Sequence, residues 1–85
     1  MVIFSGHVQG VGFRATVDDL APGFDVTGYV RNLADRRVEL VVEGEPGEVE
    51  RFLQRIAERM GGFIKSRTDD DSPATKEFTD FSIRR

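Results

Sequence analysis

Apolar residues return along this chain with two alternating periods. From Val2 to Val8 every second position (Val2, Phe4, Gly6, Val8) falls on one face, as in a half-buried strand. A loop with Gly10 and Gly12 follows. Then Phe13, Val17, Leu20 and Ala21 take helical spacing, and Pro22-Gly23 closes that helix. Val26 to Leu33 and Arg37 to Glu43 predict two valine-rich strands, with Val26, Gly28 and Val30, then Val38, Leu40 and Val42, facing inward. The hairpin connection between them, Asn32 to Arg36, lacks the glycine such turns favour. Gly44-Glu45-Pro46 opens a second helix, with Glu45 and Glu48 near its positive end. Its stripe is Val49, Phe52, Leu53, Ile56 and Met60, and Gly61-Gly62 ends it. Phe63 to Thr68 and Phe78 to Arg84 predict two last strands, the latter with Phe81 and Ile83 on one face. Asp69 to Thr75, polar and interrupted by Pro73, predicts an exposed loop.

This order gives a β-α-β-β-α-β arrangement. The expected fold is an α+β, ferredoxin-like split βαβ sandwich, an antiparallel sheet with both helices on one face. At 85 residues the chain is expected to form one domain, residues 1–85, around a single core. It has no cysteine, so no disulfide or thiolate metal site can stabilise it. No apolar run approaches the roughly 20 residues that span a bilayer. The segment from Met1 to Gly6 lacks the basic start and long apolar stretch of a secretory signal, so the cytoplasm is the expected location. A net charge of −3 argues against a dedicated nucleic-acid binder but leaves room for one focused positive pocket. No membrane partner is expected.

The candidate chemistry lies in Gln9-Gly10-Val11-Gly12-Phe13-Arg14, between a strand and a helix. Two glycines let several main-chain N–H groups converge on one anion beside the positive end of a helix dipole. Arg14 adds a planar fork suited to two phosphate oxygens. Gly10 and Gly12 with Ala15 also fit a loose G-x-G-x-x-A dinucleotide pattern. That reading needs an acidic residue about 20 positions on and a partner half-domain. Tyr29-Val30-Arg31-Asn32 stands in that region instead, and the reading is rejected. No Gly-Lys-Ser/Thr follows the glycines, so there is no Walker A loop. On residue chemistry alone, a tight strand–helix turn with a solvated Arg14 explains the loop as well as anion binding does.

The surrounding sequence separates the two. Ser5-Gly6-His7-Val8-Gln9-Gly10-Val11-Gly12-Phe13-Arg14 closely resembles the N-terminal signature of the acylphosphatase family. Gly28-Tyr29-Val30-Arg31-Asn32-Leu33, leading into Val38-Glu39-Leu40-Val41-Val42-Glu43-Gly44, resembles its second signature, in the same order and spacing. The likeness extends over essentially the whole chain. It implies a hydrolase that splits the carboxyl–phosphate bond of small acyl phosphates into a carboxylate and inorganic phosphate. Gln9, Gly10, Val11, Gly12 and Phe13 are then expected to cradle the substrate phosphate, Arg14 to bind it, and Asn32 to position the attacking water. The resemblance implies no cofactor and no metal. The expected partner is a small acyl phosphate or a similar anion, with the chain a monomer.

Other residues have plainer readings. His7, the one histidine, is expected to serve surface or packing, and Tyr29 to pack. Arg31 points to the face opposite Asn32 and is expected to be structural or solvated. Asp69-Asp70-Asp71 reads as a solvated charge run. Two departures from the family pattern, Pro22-Gly23-Phe24 and Ala34-Asp35-Arg36, bear on stability and loop shape. The competing functions are a non-catalytic module binding acyl or carbamoyl phosphate, and an RNA-binding ferredoxin-like domain. The acidic balance argues against the second.

Overall fold

The computed structural model describes residues 1–70 and 78–84. The elements are β1 (Val2–Gly6), α1 (Phe13–Leu20), β2 (Val26–Asn32), β3 (Val38–Gly44), α2 (Pro46–Met60), β4 (Ile64–Asp69) and β5 (Phe81–Arg84). One-turn 3-10 segments, Ala21–Gly23 and Gly61–Phe63, finish the two helices at the predicted stops. Asp69 closes β4 rather than opening a loop, and the expected loop residues 71–75 lie outside the described residues.

The sheet order is β4-β1-β3-β2-β5. The first four strands pair antiparallel, as the split βαβ reading requires. The wholly antiparallel sheet is corrected at β5, which runs parallel to β2 with Gly28 opposite Phe81 and Arg31 opposite Arg84. Direction explains it. β4 runs against β1, so the chain leaves β4 at the end of the sheet where β2 begins. A strand entering there on the far edge can only run alongside β2. The result is a five-stranded mixed sheet in a ferredoxin-like α+β fold. Helix α1 packs on β2 and β5, α2 packs on β3, and the helices touch each other.

Strand parity builds the core. Val2, Phe4, Val26, Val30, Val38 and Leu40 are buried together with Phe13 and Val17 of α1 and with Phe52, Ile56 and Met60 of α2. The Phe4 and Phe13 rings lie 5.1 Å apart, which fixes the start of α1 over β1. Phe52 meets Phe24 at 5.4 Å and Phe81 at 5.5 Å. The Pro22-Gly23-Phe24 departure therefore returns an aromatic ring to the core. Gly28 has φ +140, and a Cβ there would stand 1.9 Å from the Val41 carbonyl oxygen, so no side chain fits where β2 and β3 approach.

Candidate active site at the Gly10–Gly12 loop

The loop after β1 ends on Gly12, the N-cap of α1, with φ +77 and ψ 22. Gly10 has φ +80. A Cβ on either would meet nothing within 4 Å, so glycine is required by the left-handed backbone rather than by crowding. The Gly12 carbonyl accepts from the Thr16 N–H at 2.9 Å, which starts the helix. The first N–H groups of a helix have no partner within it. The first turn of α1 carries no acidic residue and places Arg14 beside those donors. An anion fits this end of the helix.

Phe13 is buried at 1% exposure, which turns that face of α1 into the core. The Arg14 Nη1 lies 3.5 Å from the Arg84 carbonyl oxygen, at the outer limit of a hydrogen bond. Among the described residues it makes no ion pair. Asn32 closes β2 on the same parity as Val30, the helix side of the sheet. Its Oδ1 is buried without a hydrogen-bond partner among the described residues. Leaving a buried acceptor unpaired costs about 1–3 kcal/mol, so this atom favours a donor that can reach it.

Gly10, Gly12, Phe13, Arg14 and Asn32 line one cavity of about 360 Å³, together with Val8, Ala15 and Ile83. Those five residues come from both expected motifs. Gln9 and Val11 are not among the lining residues. The Val11 side chain is exposed, whereas the Gln9 amide Nε2 donates to the carbonyls of Leu33 at 2.9 Å and Arg37 at 3.0 Å. Ile83 escaped the sequence reading because β5 joins this edge only through its parallel pairing with β2. Its shared parity with Phe81 was the available signal.

Neighbouring charges are already committed. The Arg31 Nε lies 2.6 Å from Glu39 Oε1, and the Tyr29 hydroxyl donates to the same oxygen at 3.0 Å. Burial, helped by the Glu39 carboxylate, pushes the Tyr29 hydroxyl pKa above its usual value. Arg31 is thus structural despite its place beside Asn32. His7 is exposed, and its main-chain N–H donates to the Phe63 carbonyl at 2.9 Å. Asp69 pairs with Arg67 at 2.9 Å, and Asp71 lies outside the described residues. A larger cavity of about 560 Å³ lies between α2 and β4, but its one guanidinium is that same paired Arg67. Only the Gly10–Gly12 cavity joins a cation free of ion pairs to an unpaired buried acceptor among the described residues.

The family model described as Acylphosphatase matches residues 1–83. The chain is 42% identical over 84 residues to an acylphosphatase of Marinobacter nauticus, covering 94% of this chain and 88% of that one. It is 46% identical over 66 residues to an acylphosphatase of Methanospirillum hungatei, covering 78% of this chain and 72% of that one. The crystal structure of an acylphosphatase from Bacillus subtilis superposes with a TM-score of 0.86 at 28% identity, covering 99% of this chain and 94% of that one. The same fold recurs within HypF of T.kodakarensis, with a TM-score of 0.84 at 29% identity, covering 99% of this chain but 11% of that one. With both motifs meeting at one cavity and the family model spanning nearly every residue, the chain belongs to the acylphosphatase family.

Proposed function

We propose that the chain hydrolyses the carboxyl–phosphate bond of small acyl phosphates, with Arg14 and the loop main chain holding the phosphoryl group and Asn32 holding the attacking water. The observation that carries this reading is that Asn32, whose Oδ1 is buried and unpartnered among the described residues, lines the same cavity as Arg14.

An acyl phosphate has a carboxylate leaving group, so no strong general acid is needed. The remaining tasks are to orient water and stabilise charge on the phosphoryl oxygens. Arg14 supplies a permanent positive fork, and the loop amides supply donors that need no reorganisation. Asn32 can accept a hydrogen bond from water at Oδ1 while its Nδ2 donates to a phosphoryl oxygen, so one side chain sets both partners. Water oxygen then bonds to phosphorus as the phosphorus–acyl oxygen bond breaks. The leaving carboxylate keeps that electron pair, and the water proton passes to a phosphoryl oxygen of the substrate.

The same reading makes the chain a monomeric, single-domain cytoplasmic enzyme without nucleic-acid partners. The net charge of −3 supports the last point. Benzoyl phosphate hydrolysis tests the activity directly. The expected result is turnover that inorganic phosphate inhibits competitively and that follows substrate ionisation with pH. No turnover, or inhibition by nucleic acid but not by phosphate, would reject the reading.

A further inference from the structure

We infer that Gln9 is a positioning residue, whose side-chain amide clips the β2–β3 hairpin to the Gly10–Gly12 loop and so sets where Asn32 stands over the bound phosphoryl group. This inference rests on the water-holding role given to Asn32 above.

The clip joins two parts of the sheet whose strands are not paired with each other. Gln9 follows β1, Asn32 ends β2, and β3 lies between those strands. The Gln9 Nε2 reaches across to the carbonyls of Leu33 and Arg37 at 2.9 and 3.0 Å. Both acceptors are carbonyls, so only the NH₂ end of the amide can serve them, and the chemistry fixes its orientation. Leu33 is the residue directly after Asn32, so the bond holds the backbone one step from the proposed water-binding amide.

The hairpin has need of such a hold. Arg36 takes φ +71, a left-handed conformation that is strained for a residue with a side chain. It is closed by the Leu33 N–H to the Arg37 carbonyl at 2.8 Å and the Arg36 N–H to the Leu33 carbonyl at 3.2 Å. Gln9 caps the second lone pair of both carbonyls. No side-chain hydrogen bond of Asn32 itself fixes its Oδ1 among the described residues. The position of Asn32 relative to Arg14 therefore depends on the hairpin, and the hairpin is tied to the loop through Gln9. With its side chain committed there, Gln9 has only main-chain groups to offer an anion.

Steady-state hydrolysis of benzoyl phosphate, with inhibition by inorganic phosphate, tests this in Gln9→Ala, Gln9→Glu, Asn32→Ala and the Gln9→Ala/Asn32→Ala double variant. Gln9→Ala should lower kcat about tenfold to a hundredfold while the phosphate inhibition constant stays within about twofold. In the Asn32→Ala background the same change should cost nothing further, because the group being positioned is gone. Gln9→Glu keeps the size but cannot donate when ionised. Relative to the wild type at each pH, its kcat should be low at neutral pH and recover on acidification, as the protonated acid donates one bond. Equal losses in both backgrounds, phosphate affinity falling in step with kcat, or unchanged kcat in Gln9→Ala would overturn the inference. If Gln9→Ala does not fold, the ratio of Gln9→Glu to wild-type kcat across pH decides alone, and a flat ratio overturns it. Full activity in Asn32→Ala would instead reject the proposed role of Asn32. An inactive Asn32→Ala beside a fully active Gln9→Ala would reject this inference only.

Discussion

Arg14, in the first turn of α1, and Asn32, the last residue of β2, line one cavity of about 360 Å³. The split βαβ order produces this meeting. The crossover helix starts at the end of β1, and β2 runs parallel to β1, so β2 finishes where α1 starts. A cation and an amide from different elements thereby face the same space, with a pair of left-handed glycines beside them.

Replacement of Arg14 by lysine should not preserve function. Lysine keeps the charge but loses the planar pair of donors that spans two phosphoryl oxygens. Arg14→Lys is expected to lower kcat/KM for benzoyl phosphate about a hundredfold and to weaken phosphate inhibition. Near-normal values for both would show that a point charge is enough.

The hairpin offers a stability test separate from chemistry. Arg36→Gly relieves the left-handed strain at φ +71 but adds unfolded-chain entropy, which offsets roughly half of the gain. A net rise of about 0.5 kcal/mol is expected, read as ~2–4 °C in Tm. A fall in Tm would mean that the Arg36 side chain contributes more than its backbone costs.

Acid sensitivity should be traceable to Glu48. The Asp25 main-chain N–H donates to its carboxylate at 2.8 Å, and this bond, reinforced by Arg51, holds its pKa below the ordinary 4.5. A depressed folded value means that the stabilisation is present above the unfolded pKa and fades as pH falls through the folded one. Glu48→Gln should therefore lower Tm at neutral pH and lose less Tm than the wild type between about pH 6 and pH 3. Parallel loss in both proteins would clear Glu48 of this part.

Much of the fold was legible because alternation and helical spacing report burial directly. Val26, Val30, Val38 and Leu40, read as inward, are buried, and so are Phe52, Ile56 and Met60 on the stripe of α2. The parallel placement of β5 was not legible, since the local pattern around Phe81 and Ile83 fixes a strand but not its neighbour or its direction. The candidate site divides in the same way. Gly10, Gly12, Phe13, Arg14 and Asn32, named from the two motifs, line one cavity. The bonds from Gln9 to Leu33 and Arg37 were hidden, because a glutamine in a glycine loop carries no mark of which distant carbonyls it will reach. Arg36 illustrates the remaining gap. The missing hairpin glycine was visible, but only the backbone angle shows that the turn kept its left-handed residue and placed an arginine there.

The most direct test of the account is to measure turnover and phosphate affinity together in Asn32→Ala. If Asn32 holds water while Arg14 and the loop hold the anion, kcat for benzoyl phosphate should fall about a hundredfold or more, with the phosphate dissociation constant unchanged within about twofold. Retained kcat, or a phosphate affinity that collapses along with it, would contradict that division of labour.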